Sequence, residues 1–114
     1  LEDLKVRQKI DDMIQYGYLA LQQFPKSERY TLAADMKKSM YRLLLLVITA
    51  NKRYFKKTTL QDLDVELDIL RSYVRLSHDL RFLPFRKYEN WAKQLNEIGR
   101  MIGGWIKSMN LNHT

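Results

Sequence analysis

The sequence predicts an all-α fold, an antiparallel up-down bundle of four helices. Three observations predict it. Apolar residues recur at three- and four-residue steps along four long segments. Only four Gly and two Pro occur in 114 residues, too few for a turn-rich β fold. The breaks between segments are short, at Pro25, at "KKTT" (Lys56–Thr59) and at Pro84. A chain of this length is expected to form one domain, residues 1–114.

The first helix is expected from about Leu4 to Phe24, with Val6, Ile10, Met13, Gly17, Leu21 and Phe24 on one stripe. Pro25 stops it, because a residue before proline is pushed out of the α region. Ser27 is a candidate N-cap for the second helix. That helix carries Ala33, Met36, Met40, Leu43, Val47, Ala50 and Tyr54 as a bundle seam and fades near Tyr54. "KKTT" reads as the next loop, with Thr59 and Asp62 as a capping pair. In the third segment, "LDVELDI" alternates like a strand, but the longer window is helical. Leu60, Leu63, Leu67, Leu70 and Val74 form one stripe. Val65, Ile69, Tyr73, Leu76 and Leu80 form a second. Asp62, Asp64, Glu66 and Asp68 are expected in its first turns, where the macrodipole favours acids. This helix ends before Pro84. The fourth begins near Phe85, with Trp91, Leu95, Ile98, Ile102, Trp105 and Met109 as its seam. That seam runs through Gly99, Gly103 and Gly104, which are therefore expected inside the helix. Gly103 is expected at a close approach to another helix, offsetting a propensity cost of ~1 kcal/mol.

Several function classes are excluded or disfavoured. With no Cys, disulfide scaffolds, Cys-based zinc sites and thiol catalysis are excluded. The longest apolar run, "LLLLVI" (Leu43–Ile48), is far short of the ~20 residues that span a bilayer, so no membrane-spanning segment is expected. The first residues carry no signal-peptide or lipidation pattern, and the cytoplasm is the expected compartment. His78 and His113 are the two histidines. Neither follows Glu at the three-residue spacing of a di-iron bundle, since Arg75 and Asn110 stand there. No phosphate-binding Gly loop or zinc-protease motif is found. We therefore expect no enzyme activity, no metal and no cofactor.

Two surpluses point to binding. The two stripes of the third helix together cover more than half its circumference. The second helix adds Tyr41, Leu44, Leu45 and Ile48 beyond its seam. A bundle helix in a monomer needs a stripe little wider than ~100°. Contact with further copies of the chain is the simplest use for the rest. The other surplus is charge. The net charge is +7, and Lys37, Lys38, Arg42, Lys52, Arg53, Lys56 and Lys57 fall in one segment without an acid. The remaining chain is balanced. Such a cluster repels itself unless an anion is near, so a polyanion is expected, nucleic acid first and an acidic protein or membrane surface second. Lys38, Arg42, Lys52 and Lys56 are expected on one outward face, opposite the buried seam. Arg71 and Arg75 form a like-charged pair flanked by Asp68 and Asp79, which could tie them into ordinary salt bridges. Tyr30, Tyr41 and Tyr54 could stack on bases, with Tyr54 expected instead in the core. Glu66 falls within the apolar arc, where it either pairs with a basic residue across an interface or snorkels.

The segments together resemble the accessory variability determinant (Avd) proteins of diversity-generating retroelements. Those proteins are related to four-helix proteins encoded within ribosomal RNA intervening sequences. "QKIDDMIQYGYLALQQFPKSERYTLAADMKKSMY" resembles the family's first helix, its Pro-Lys turn and the start of helix 2. "LDVELDILRSYVRL" resembles the third helix, with its Leu-Arg-x-x-x-Arg pattern at Leu70, Arg71 and Arg75. "EIGRMIGGWIKSMN" resembles the family's Arg-to-Gly-x-Trp-Ile ending. The resemblance implies a non-catalytic partner of a retroelement reverse transcriptase. It also implies a homopentamer with a basic surface that binds the polymerase and template RNA and supports mutagenic copying into complementary DNA. Arg71 and Arg75 would be contacts by that pattern. The alternative is a structural or protein-interaction bundle whose basic face binds an acidic protein.

Overall fold

The computed structural model describes the backbone of residues 2–112 and the side chains of residues 4–110, so His113 lies outside the described residues. Four helices take up most of the chain: α1 (Glu2–Leu21), α2 (Leu32–Lys52), α3 (Lys57–Asp79) and α4 (Phe85–Asn112). A short 3-10 turn, Lys26–Glu28, lies between α1 and α2. No strand occurs among the described residues. α1 packs on α2 and α4, and α3 does the same, so the helices close into a ring with the apolar seams inside. Cross-helix pairs give the direction. Met36 and Ser39 of α2 meet Ser77 and Glu66 of α3, stepping backward along α3 as α2 advances. Lys9 and Met13 of α1 meet Glu97 and Trp91 of α4 in the same sense. These neighbours are antiparallel, as in an up-down bundle. α4 sets the long axis: 28 residues at a rise of ~1.5 Å each account for most of the 49 Å length.

The predicted seams form the core. Val6, Ile10, Met13, Met36, Met40, Leu43, Val47, Leu60, Leu63, Leu67, Leu70, Trp91, Leu95 and Ile102 are fully enclosed. At the centre Trp91 Nε1 donates to Met13 Sδ at 3.3 Å. The close approach expected at Gly103 is instead at Gly17. A Cβ there would stand 2.6 Å from Met40 Sδ and 2.8 Å from Trp91 Cζ2. Gly99 is also tight, with Leu67 Cδ2 at 3.3 Å from an added Cβ. Gly103 and Gly104 lie within α4, as expected, but face open space. Helical periodicity alone does not say which side of a glycine has a neighbour, and the Trp91–Ile102 seam turns its back on Gly103.

The ends of the helices depart from expectation. α1 stops at Leu21, and Gln22, Gln23 and Phe24 wind more tightly onto the carbonyls of Leu19, Ala20 and Leu21. Ser27 lies in the 3-10 turn and does not cap α2, which begins only at Leu32. The residue before it, Thr31, gives its hydroxyl to the Glu28 carboxylate at 2.8 Å. α3 begins at Lys57, earlier than the "KKTT" loop allowed, so Thr59 is a buried helix residue and not a cap. Asp62 is consequently beyond the first turn, where the dipole's pull has largely faded. α3 closes in a Schellman motif: Phe82 N–H reaches Ser77 O and Arg81 N–H reaches His78 O, both at 2.9 Å. Arg81 takes the left-handed position at φ 66°, where glycine is the unstrained choice. Phe82 then packs its ring on Phe24, with centroids 5.7 Å apart, tying the α3 turn to the α1 end.

The two kinds of glycine predict opposite signs. Gly17→Ala should lose about 1–3 kcal/mol through overpacking against the rigid indole, despite the better propensity of Ala. Gly103→Ala should gain about 0.5–1 kcal/mol. Urea unfolding of the two variants checks this, and a stable Gly17→Ala protein would contradict the packing.

Candidate nucleic-acid interface

The buried seam of α2 decides what that helix shows to solvent. With Met36, Met40, Leu43 and Val47 inside, the opposite side carries Lys38, Arg42, Leu45, Thr49 and Lys52. Lys38, Arg42 and Lys52 are exposed, and Leu45 lies 57% exposed between them. Tyr41, half exposed, borders the row. From Lys38 to Lys52 the row runs roughly 21 Å along the helix. Cations interleaved with an aromatic and an aliphatic surface suit a polyanion that also carries flat apolar groups.

The seven cations of the acid-free segment are not equivalent in space. Arg42 is not unopposed: its Nε lies 3.2 Å from Glu66 Oε1, reaching across from α2 to α3. Ser39 Oγ donates to the other oxygen of the same carboxylate at 2.8 Å. Glu66 therefore pairs within its own chain, and its side chain is only 12% exposed. Lys56 leaves the outward face altogether. It lies beyond the end of α2, and its Nζ donates to the carbonyls of Ala50 at 2.5 Å and Arg53 at 2.7 Å. Those are carbonyls that the end of a helix leaves unmet, and an ammonium suits the negative pole of the dipole. Lys37 is half-buried and sits 5.0 Å above the Tyr18 ring. Lys52, Arg53 and Lys57 are exposed around the α2–α3 turn.

Arg71 and Arg75 part company as well. Arg71 is held by Asp68 at 3.2 Å and by the Asn96 side chain of α4. Arg75, one turn on, is exposed, and no ion pair reaches it among the described residues. The two guanidinium-bearing residues border a hollow of about 190 Å³ between α3 and α4, with Tyr88 on its rim.

Two features escaped the sequence reading. Tyr54, expected in the core, is 86% exposed, and Phe55 beside it is 79% exposed. α2 ends at Lys52, so the seam period has no helix left on which to place Tyr54. The second feature is a cavity of about 420 Å³ where α1 turns into α2, lined by Tyr18, Phe24, Lys26, Arg29 and Lys37. Glu28, between Lys26 and Arg29, hides this cluster from a count of charge runs, and only folding brings Lys37 to it. The Tyr41 hydroxyl, hydrogen-bonded to that of Tyr18, pushes the Tyr18 phenol above the usual tyrosine range.

A family model described as bAvd-like matches residues 4–109. The chain belongs to the bAvd-like family. No curated protein matches this sequence. In this bAvd-like chain the match takes in the body of all four helices and every cation described above.

The structural duty of Lys56 separates it from its neighbours. Lys56→Gln should cost about 1–2 kcal/mol by removing charge-assisted hydrogen bonds to the α2 carbonyls. Lys52→Gln should stay within about 0.5 kcal/mol of the parent. Thermal unfolding of both checks the difference, and equal stabilities would remove Lys56 from its capping role.

Proposed function

We propose that this chain is a non-catalytic accessory protein of a diversity-generating retroelement. It binds the reverse transcriptase and the template RNA in the cytoplasm and supports mutagenic copying into complementary DNA. The observation that carries the reading is the exposed cation row of α2 on a chain that the bAvd-like family model matches across its four helices. Phosphate contacts dominate the affinity, and sequence preference is weak, because no base-reading module is built into the bundle. Lys38, Lys52, Arg53 and Lys57 carry most of this binding, since they are exposed and make no ion pair among the described residues. Lys37, Arg42 and Lys56 contribute less, being engaged with Tyr18, Glu66 and the α2 carbonyls. Arg75, with Arg71 positioned beside it, contacts the polymerase.

The reading includes self-association, as a homopentamer. Val65 at 59%, Ile69 at 41%, Leu76 at 44% and Leu80 at 48% exposure leave the second stripe of α3 uncovered. A contiguous apolar stripe of this kind marks an interaction surface. Repeating the cation row around a ring raises avidity without new contacts.

Replacing Lys38, Lys52, Arg53 and Lys57 together with Gln should preserve the fold. It should flatten the logarithmic salt dependence of single-stranded RNA binding by about three, at ~0.7 per phosphate contact. Fluorescence anisotropy across a salt series reads this, and an unchanged slope would move the weight to an acidic protein partner. Light scattering of the parent should give five times the mass of one chain. Val65→Glu with Ile69→Glu should reduce it to one chain without loss of helical signal. A monomeric parent at all concentrations would remove the assembly from the reading.

A further inference from the structure

The α2–α3 turn carries the most exposed aromatic pair of the molecule, and no part of the bundle uses it. Tyr54 and Phe55 stand out of the end of the bundle at 86% and 79% exposure. They meet edge to face, with centroids 4.9 Å apart and planes at 85°. That geometry leaves at least one face of each ring open, and the open faces point in different directions. The turn that bears them is held at both ends. Arg53 N–H bonds Thr49 O at 3.0 Å, closing α2, and Leu60 N–H bonds Lys56 O at 2.8 Å, opening α3. Lys56 bends inward and clamps the carbonyls of Ala50 and Arg53. With Lys56 turned in, the outward set is Lys52, Arg53, Tyr54, Phe55 and Lys57: three cations around two aromatic rings, and no acid in the sequence from Lys37 to Lys57.

Two large apolar rings in water at a rigid turn are unfavourable unless something covers them. The surrounding charge says what that occupant carries. Cations flanking open ring faces match a chain that alternates phosphates with flat bases, which is an unpaired nucleic-acid strand. A duplex offers the same phosphates but keeps its bases stacked inside, so it satisfies the cations and leaves the rings bare. We propose that the α2–α3 turn is a stacking tip: Tyr54 and Phe55 take unpaired bases of a single-stranded nucleic acid, while Lys52, Arg53 and Lys57 hold the flanking phosphates. The inference rests on the nucleic-acid reading above and adds to it the element that distinguishes single strands from duplex. The cation row of α2 supplies affinity that any polyanion shares, and the tip supplies preference for unpaired bases. Because the turn is preformed, stacking there costs little ordering of the protein.

The test compares Tyr54→Ala with Phe55→Ala, as a double variant of the full chain, with the parent. Anisotropy is measured on a labelled single-stranded RNA and on a duplex of the same length, at matched salt. The double variant should bind the single strand about tenfold or more weakly, since each base–aromatic stack is worth a factor of that order. Its salt slope should match the parent, and duplex affinity should stay within about twofold, because no phosphate contact is lost. Tyr54→Trp should keep the parent affinity and show indole fluorescence quenched by the single strand, which guards against a loss caused by misfolding. Equal weakening on single strand and duplex, or no change on either, would overturn the stacking tip while leaving nucleic-acid binding standing. A fall in oligomer mass in the double variant would make the pair a contact between subunits and also overturn it. So would binding of the parent to phosphatidylserine vesicles that the variant loses while its RNA affinity stays unchanged. A parent that binds neither nucleic acid at low salt would defeat the functional reading itself.

Discussion

The contact on which the bundle depends is the seating of Trp91 against Gly17. An indole is the bulkiest side chain a four-helix core can enclose, and here it is wholly buried, its N–H spent on Met13 Sδ. Room for it exists because α1 carries no side chain where the ring and Met40 crowd in. Glycine costs α1 helix propensity. In exchange, α1, α2 and α4 come together at one level of the core, and dense packing there fixes their rotation. The rotation of α2 then decides the surface. With Met36, Met40 and Val47 committed inward, Lys38, Arg42 and Lys52 have no choice but to face solvent on a common side. The outward cation row is in this sense the reverse of the core.

Folding redistributes the charge that the sequence displays. Seven cations without an acid look uniform along the chain, but Glu66 comes from α3 to meet Arg42, and Lys56 turns back to close α2. Lys26 and Arg29 join Lys37 at the other end of α2. Local charge is thus sorted into two roles. Some cations hold the bundle together, through a shielded pair or a helix terminus. Others, Lys38, Lys52, Arg53 and Lys57, stay exposed, the first two at positions set by the rigid α2 helix. Arg71 and Arg75 repeat the division on α3, one engaged with Asp68 and Asn96 and the other open.

How much was legible follows from which forces act locally. The seams were legible almost residue by residue, because burial repeats with the helix period and one stripe suffices to place a face. Gly99, Gly103 and Gly104 were rightly placed within a helix on the same ground. The ends were less legible. Ser27 and Thr59 have capping chemistry, yet Ser27 lies in the 3-10 turn ahead of α2, and α3 opens at Lys57, before Thr59. Gly103 and Tyr54 were misplaced for one shared reason: a period says which side of a helix a residue is on, but not whether a neighbour is there or whether the helix still continues. The partner of Glu66 lies 24 residues away in sequence, at Arg42, and only the antiparallel register of α2 and α3 brings them together.

The central claim is that a nucleic acid lies along the outward side of α2 and over the turn that follows it. Ultraviolet crosslinking of single-stranded RNA to the protein, with mass mapping of the attached peptides, tests it most directly. The account predicts that crosslinks concentrate within residues 37–57, with Tyr54 and Phe55 foremost, and that they vanish as salt is raised. Crosslinks confined to α1 or α4, or none at low salt, would contradict it.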